Sequence, residues 1–358
     1  MLESIFKKYF VENTEIATIP FGNGHINDTY LVDIVGKKEK YILQKINTNV
    51  FPDPDGIVLT HRRLQELIFE GERPYSIARI YPNLNGEYLT RDEAGRCWRM
   101  TAYIDGSFSI DTVKTEWQAF ETGAAFGWFA KTCSVFNPAD FREAIKNFHN
   151  LSFRLGQLYQ AIADDSAKRL HSIPEVIAFY AERENRMKQI QDLVDQGKIP
   201  TRIVHNDTKI NNLLFVGNKA KVIIDLDTVG PGILYYDYGD ALRTSACTTK
   251  EDEQDLTKVD FNMVAFEQFS KAYLQQLSNI LTKEEKDNFH LAPILLTYIM
   301  GIRFLADYLN GDTYYKTKYP DHNLVRSMVQ MQLIRAIERR ENEMIQIIQS
   351  ILSNSHCN

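Results

Sequence analysis

The stretch HNDTKINN, His205 to Asn212, followed by IIDLD, Ile223 to Asp227, constrains this chain more than any other feature. HNDTKINN lies between the strand-like runs RIVH and NLLFV, and Gly217-Asn218 separates NLLFV from KVIID. That order predicts a loop and then a β-hairpin whose far strand returns beside the loop. Any fold that fits must bring Asp207, Asn212 and Asp225 into one neighbourhood. Ile223 and Ile224 anchor the strand before Asp225, where an ionised carboxylate is costly unless solvated, hydrogen-bonded or bound to a cation.

A carboxylate and an amide five residues apart on one loop, with a second carboxylate delivered by a hairpin, suit phosphoryl transfer to a hydroxyl. That chemistry needs a base aimed at the nucleophile and oxygen ligands that hold metal against phosphates. Asp207 suits the base; Asn212 and Asp225 suit a magnesium ion. The bland alternative is that Asp207 and Asn212 only shape an Asx-rich turn. Asp227 would share a face with Asp225 if the strand continued that far, and would then orient the site, touch the metal or accept from a substrate hydroxyl.

The surroundings divide the chain. IATIPF, TYLVDIV, KYILQKI, EYLTRD and RCWRMTAYI are β-prone runs, interrupted by one helical segment, DGIVLTHRRLQELIFEGER. Beyond Asp105-Gly106 long helical periodicity takes over, with the short strand group of the motif inside it. The expectation is an α+β chain of two lobes, a strand-rich one over 1–104 and a helical one with the catalytic loop over 105–358. At 358 residues, 44% of them hydrophobic, both can be cored.

A net charge of -6 with dispersed cations argues against a nucleic-acid partner. No leader-like start and no long uncharged apolar stretch is seen, so a cytoplasmic protein without a membrane partner is expected. Cys97, Cys133, Cys247 and Cys357 form no CxxC pair and are expected to be free thiols. Oligomeric state has no signature here. His61, His149, His171 and His290 have no second ligand at helical spacing and are expected in ordinary surface or core positions.

HNDTKINN and IIDLD resemble, in order and spacing, the catalytic loop H-G-D-x-x-x-x-N and the I-D-[FWL]-[DE] strand end of the aminoglycoside phosphotransferases and choline kinases. The resemblance implies their protein-kinase-like fold and a kinase using ATP and Mg2+, with the lobe over 1–104 binding the nucleotide and the lobe over 105–358 holding the substrate pocket. Asn206 departs from the usual glycine, which points to a subgroup. FGNGHINDTY, ILQKIN, IDLDTVGPG, YDYGDALR and RFLADYLNGDTYY, spread over most of the chain, resemble the N-acetylhexosamine 1-kinases. That implies phosphorylation of the anomeric hydroxyl of an N-acetylhexosamine, a small-molecule sugar substrate. An aminoglycoside, choline or an amino alcohol is the alternative acceptor. A kinase-like binding protein without catalysis would be expected to lack Asp207, Asn212 or Asp225, and all three are present.

The resemblance also assigns residues. Gly22 and Gly24 in FGNGHIND would cover the phosphates, unless they serve only a hairpin turn, and His25 and Asn27 could reach phosphate or sugar. On KYILQKI, alignment with the family strand puts Gln44 at the phosphate-facing position, with Lys45, on the opposite face, as the alternative. Glu66 is either a carboxylate partner for such a basic residue or a solvated helix charge. Backbone groups from Ala102 to Ile104 would meet the purine. Arg303 is expected either in the sugar pocket, with Tyr314 as a further wall, or in an intrahelical pair with Asp307. Asp237 is expected to hydrogen-bond in support of the catalytic loop.

Overall fold

The computed structural model describes residues 2–12, 14–22 and 26–354. After helix α1 (Leu2–Tyr9), strands β1 (Ile16–Pro20), β2 (Asp28–Ile34) and β3 (Lys40–Lys45) form an antiparallel meander. Helix α2 (Pro54–Ile68) crosses next, before β4 (Ser76–Ile77), β5 (Ile80–Tyr81), β6 (Thr90–Arg91) and β7 (Cys97–Ala102). Strand β7 returns beside β3, giving the order β1-β2-β3-β7-β5 with β6 also on β7. Val32, Leu43, Trp98 and Met100 point to one face of this sheet and pack with Ile5 of α1.

The rest is mainly helical: α3 (Glu116–Cys133), α4 (Leu151–Asp164) and α5 (Pro174–Asp195), then α6 (Leu234–Ser245), α7 (Met263–Leu277), α8 (Lys283–Asn288), α9 (Ala292–Leu309), α10 (His322–Glu338) and α11 (Glu341–Asn354). Between α5 and α6 lie β8 (Arg202–Val204), β9 (Leu213–Val216), β10 (Lys219–Ile223) and β11 (Gly230–Gly232). Helices α3 and α7 cross very closely. A Cβ on Gly123 would lie 2.2 Å from the Phe269 carbonyl oxygen, so only glycine allows that approach. The 283–309 stretch holds an 18-residue window apolar enough to attract attention as a membrane span, but 89% of that window is buried within the protein.

The chain is thus α+β, with a strand-rich N-terminal region and a helical C-terminal part. Helix α2 follows the expected segment, started by Pro54 and by the Asp53 carboxylate accepting from Gly56 N at 3.0 Å. Its Ile57 and Val58 join a small core with Ile80 and Leu89, whereas Leu64 and Ile68 enter the large helical core, so one helix welds the two regions. Strand β4 does the same from another direction: Ser76 and Ile77 pair in parallel with Val222 and Ile223 of β10. Neither α1 nor β4 and β5 had been expected. Cys97, Cys133 and Cys247 are buried free thiols, and Cys357 lies outside the described residues.

Candidate active site

The hairpin places the motif. Strands β9 and β10 pair with Leu213 opposite Ile223, and Ile224 N donates to the Asn212 carbonyl at 2.9 Å, so Asn212 and Asp225 are carried side by side. Strand β8 delivers His205, which is fully buried with its ring edge-on to Phe126 and Phe129. Its Nε2 donates to the Ile224 carbonyl at 3.0 Å, tying the loop to the end of β10. Asp237 at the start of α6 accepts from His205 N at 2.8 Å and from Asn206 N at 2.7 Å, the hydrogen-bonding role expected of it.

Asn206 is left-handed, with φ of 63°. Glycine tolerates that conformation best and asparagine is among the few others that adopt it, so the departure from glycine leaves the loop geometry intact. The added side chain is used: its Nδ2 donates to the Thr228 carbonyl at 3.1 Å, while the backbone carbonyl of Asn206 accepts from His149 Nε2 at 2.7 Å.

Asp207 is clasped from two sides. Asn212 Nδ2 donates to its carbonyl at 2.8 Å and to its Oδ2 at 3.0 Å, while Lys209 Nζ lies 3.2 Å from Oδ1. Burial would raise its pKa, but the positive charge of Lys209 and the neighbouring His205 and Asn212 outweigh it and hold the carboxyl below its ordinary range. An ionised carboxylate is the form that accepts or orients a hydroxyl proton. Lys209, itself pushed upward by Asp207, went unnoticed in the sequence. Its signal was a cation two positions after the carboxylate within the same loop.

Asp225 ends the hairpin in a left-handed turn, φ 59°, where it is exposed to solvent. Crowding by protein, and then the carboxylates of Asp227 and Asp207, push its pKa up to about 7. This is a locus short of positive charge. Asn212, with Nδ2 committed to Asp207, offers Oδ1, and Asp225 offers a carboxylate; among the described residues no cage of three or more His, Cys, Asp or Glu side chains forms. The pair fits Mg2+, which keeps most of its shell for water and phosphate oxygens, better than it fits an ion that needs a closed protein cage.

Several expected residues stand elsewhere. Strand β10 stops at Ile223 and a 3-10 turn covers Leu226–Thr228, so Asp227 does not continue on the face of Asp225. It is buried, ion-paired with Arg99 Nη1, and accepts from Asn27 Nδ2 at 2.7 Å, which leaves it closed to a substrate hydroxyl. Gln44 does not offer a free amide to phosphate: Oε1 accepts from Arg99 Nε and Nη2 at 3.0 and 2.8 Å, and Nε2 donates to Thr29 Oγ1 at 3.2 Å. Lys45 is ion-paired with Asp28 across β2 and β3. Glu66 pairs with Arg62 on the exposed side of its own helix, the solvated alternative.

Gly22 is left-handed, with φ of 79° and open space around it, whereas Gly24 and His25 lie outside the described residues. Ala102 N donates to the Arg79 carbonyl at 2.8 Å, and the Ile104 carbonyl accepts from Ser107 Oγ at 2.7 Å. Neither of those two groups is spare for a purine.

The sequence profile of the phosphotransferase enzyme family, APH, matches residues 18–267, more than half of the chain. The chain belongs to that family. Solved structures similar to this phosphotransferase include a microcompartment-associated aminopropanol kinase, 14% identical with a TM-score of 0.63 over 96% of this chain and 98% of the other. A spectinomycin phosphotransferase in complex with ADP and spectinomycin is 11% identical, with a TM-score of 0.61 over 96% and 98%. The choline kinase of Cryptosporidium parvum is 15% identical, with a TM-score of 0.55 over 97% and 95%. At these identities the likeness is one of fold.

On the far side of the catalytic loop, Arg303 of α9 is 8% exposed and does not pair with Asp307. Asp307 instead accepts from the backbone N of Thr313, Tyr314 and Tyr315 at 2.8–2.9 Å and from Asn323 Nδ2 at 2.9 Å, pinning the loop after α9. The Arg303 guanidinium lies 4.8 Å from the centre of the Phe148 ring and 5.8 Å from that of Tyr315. Of the two tyrosines, Tyr315 and not Tyr314 therefore joins Phe148 beside it; Tyr314 is 56% exposed, its ring edge-on to Tyr315. Arg154 of α4 is a second buried guanidinium, held by the Phe148 carbonyl at 2.8 and 3.0 Å and by Gln157 Oε1 at 2.7 Å. Burial and the charge of Arg303 push it down to about 10.

His149 stands among these charges. Burial first, then Arg303, press its pKa down to about 3, with Arg154 adding and Asp207 opposing. A cavity of about 150 Å3 behind the loop is lined by His149, Asn206, Thr228 and Tyr236, but by neither Asp207 nor Arg303. Because folded His149 refuses the proton that the unfolded chain takes below pH about 6.5, wild type loses stability relative to His149→Asn as pH falls through that value. Urea unfolding of both proteins at pH 7.5 and 5.0 should show the difference moving by about 2 kcal/mol against wild type. The comparison with the variant removes the opposite trend from Asp225 and Asp237, both raised to about 7. An unchanged difference would mean that His149 is not held neutral.

Proposed function

We propose that this phosphotransferase transfers the terminal phosphoryl group of ATP to the anomeric hydroxyl of an N-acetylhexosamine, yielding the sugar 1-phosphate. Asp207 accepts or orients the hydroxyl proton, and Lys209 keeps that carboxylate ionised. Asn212 and Asp225 hold Mg2+, which when bound neutralises phosphate charge. The division near residue 104, with Gly22 and the segment from Ala102 to Ile104 on the nucleotide side, belongs to the same reading. The ADP-bound spectinomycin phosphotransferase supports nucleotide use.

The observation that carries the acceptor class is the pair of buried guanidiniums, Arg303 and Arg154, around His149 and next to the field of Asp207. Neither has a carboxylate partner among the described residues. Choline, aminopropanol and aminoglycosides bear positive charge, and a site for them should gather carboxylates or an aromatic cage. Two buried cations repel them. A neutral sugar, rich in hydroxyl and amide oxygens, gives guanidinium N–H groups acceptors at no electrostatic cost, and Phe148 and Tyr315 supply apolar walls.

Purified protein with ATP and Mg2+ should be offered N-acetylglucosamine, N-acetylgalactosamine, choline, aminopropanol and kanamycin, and the phosphate located by phosphorus NMR. The expected kcat/KM favours an N-acetylhexosamine by at least about 100-fold, with phosphate on the anomeric oxygen. Phosphate on the 6-hydroxyl, or preference for any cationic compound, would overturn the acceptor assignment.

A further inference from the structure

The residue opposite Gln44 across the β3–β7 ladder is Arg99, which is 3% exposed. Cross-strand partners share a face, so these two point together toward the metal turn. Arg99 uses Nε and Nη2 on Gln44 Oε1 and Nη1 on Asp227. Asp227 in turn receives Asn27 Nδ2, and Asn27 Oδ1 accepts from Asn47 N at 3.0 Å. One carboxylate thereby collects the β7 strand, the segment entering β2 and the turn carrying Asp225. Helix α2 brings no carboxylate to Arg99; it brings the buried His61, whose Nε2 donates to the Ala78 carbonyl at 2.7 Å and whose proton affinity the Arg99 charge helps to lower.

We propose that the Arg99–Asp227 ion pair is a positioning device: it keeps Asp227 off the cation, leaving Asp225 as the single carboxylate ligand of this turn, and locks that turn to β7. This rests on the reading of Asn212 and Asp225 as metal ligands. Two carboxylates separated by one residue in a tight turn would otherwise converge on a divalent ion, with Asp227 drawn out of its burial. A planar guanidinium that grips Gln44 with one edge and Asp227 with the other prevents this, and a lysine, which presents a single point of charge, could not span both. Arg99 and Gln44 are positioning residues here, acting through Asp227.

The test uses Mn2+ alone, titrated by electron paramagnetic resonance into the full-length protein, so that it does not depend on the acceptor or on turnover. Arg99→Met should bind Mn2+ about tenfold more tightly than wild type, because Asp227 is released toward the ion; Arg99→Met with Asp227→Leu should lose that gain. In the ATP-dependent assay both variants should fall about tenfold or more in kcat. If Arg99→Met does not fold, Gln44→Leu, which removes only the orienting amide, should shift Mn2+ binding in the same direction by a smaller factor. Unchanged Mn2+ affinity in whichever single variant folds would overturn the proposal. So would recovery of wild-type kcat in the double variant, since a purely structural pair can be replaced by apolar residues. Loss of Mn2+ binding on Asp225→Asn, measured alongside, reports separately on the ligand assignment. A wild type with normal Mn2+ binding but no transfer to any acceptor would sink the kinase reading and leave this one standing.

Discussion

Asp207→Asn is expected to lower kcat by at least about 10³-fold while leaving the KM for ATP within about twofold, measured with whichever acceptor turns over fastest. The asymmetry follows from the site. The substituted amide has nearly the same shape, and Asn212 can still donate to the residue 207 carbonyl, as it now does at 2.8 Å. What disappears is the charge. Lys209, whose proton is held by Asp207, is left without its principal partner, and the group facing the acceptor hydroxyl can no longer take or orient its proton. Nucleotide binding, which does not run through Asp207, should be spared. A variant that keeps near-wild-type kcat would remove Asp207 from the role of base, and a large rise in the KM for ATP would recast it as part of the nucleotide site.

The catalytic loop was legible because its parts are local. A loop, a hairpin with Gly217-Asn218 at its tip and two isoleucines before Asp225 dictate that Asn212 and Asp225 become neighbours, and the register Leu213 to Ile223 delivers them so. Arg99 was not legible. It owes its place to pairing with a strand 55 residues away, and no local pattern on RCWRMTAYI distinguishes it from a solvent-facing arginine. Asp227 would have shared the face of Asp225 only if the strand had continued; it stops at Ile223, and a left-handed residue and a 3-10 turn follow, so alternation no longer applies at Asp227. Tyr315 stands beside Arg303 where Tyr314 had been expected, in a loop whose course is set by Asp307 gathering three successive backbone N–H groups. Periodicity predicts faces within elements; at element ends the outcome is set by which polar group finds a distant partner.

Asp237→Ala should be the most destructive substitution that touches neither nucleotide nor acceptor. Asp237 is wholly buried, and its two oxygens receive the backbone N–H groups of His205 and Asn206, the pair that orients the chain just before Asp207. Removing the carboxylate leaves both donors buried without an acceptor, a cost of about 3 kcal/mol at the usual penalty for each. It also frees Asn206 to leave the left-handed conformation that aims the loop. Asp237→Asn should be milder in stability yet poor in activity, because one oxygen can serve one donor while the amide NH2 faces the other and repels it. Urea unfolding should rank wild type above Asn above Ala. Turnover should fall by about 10²-fold in Asn, because small displacements of a reacting group carry penalties of that size. An Asn variant with full activity would show that the two N–H contacts hold the fold and not the aim of Asp207, and an Ala variant as stable as wild type would show that water replaces the carboxylate.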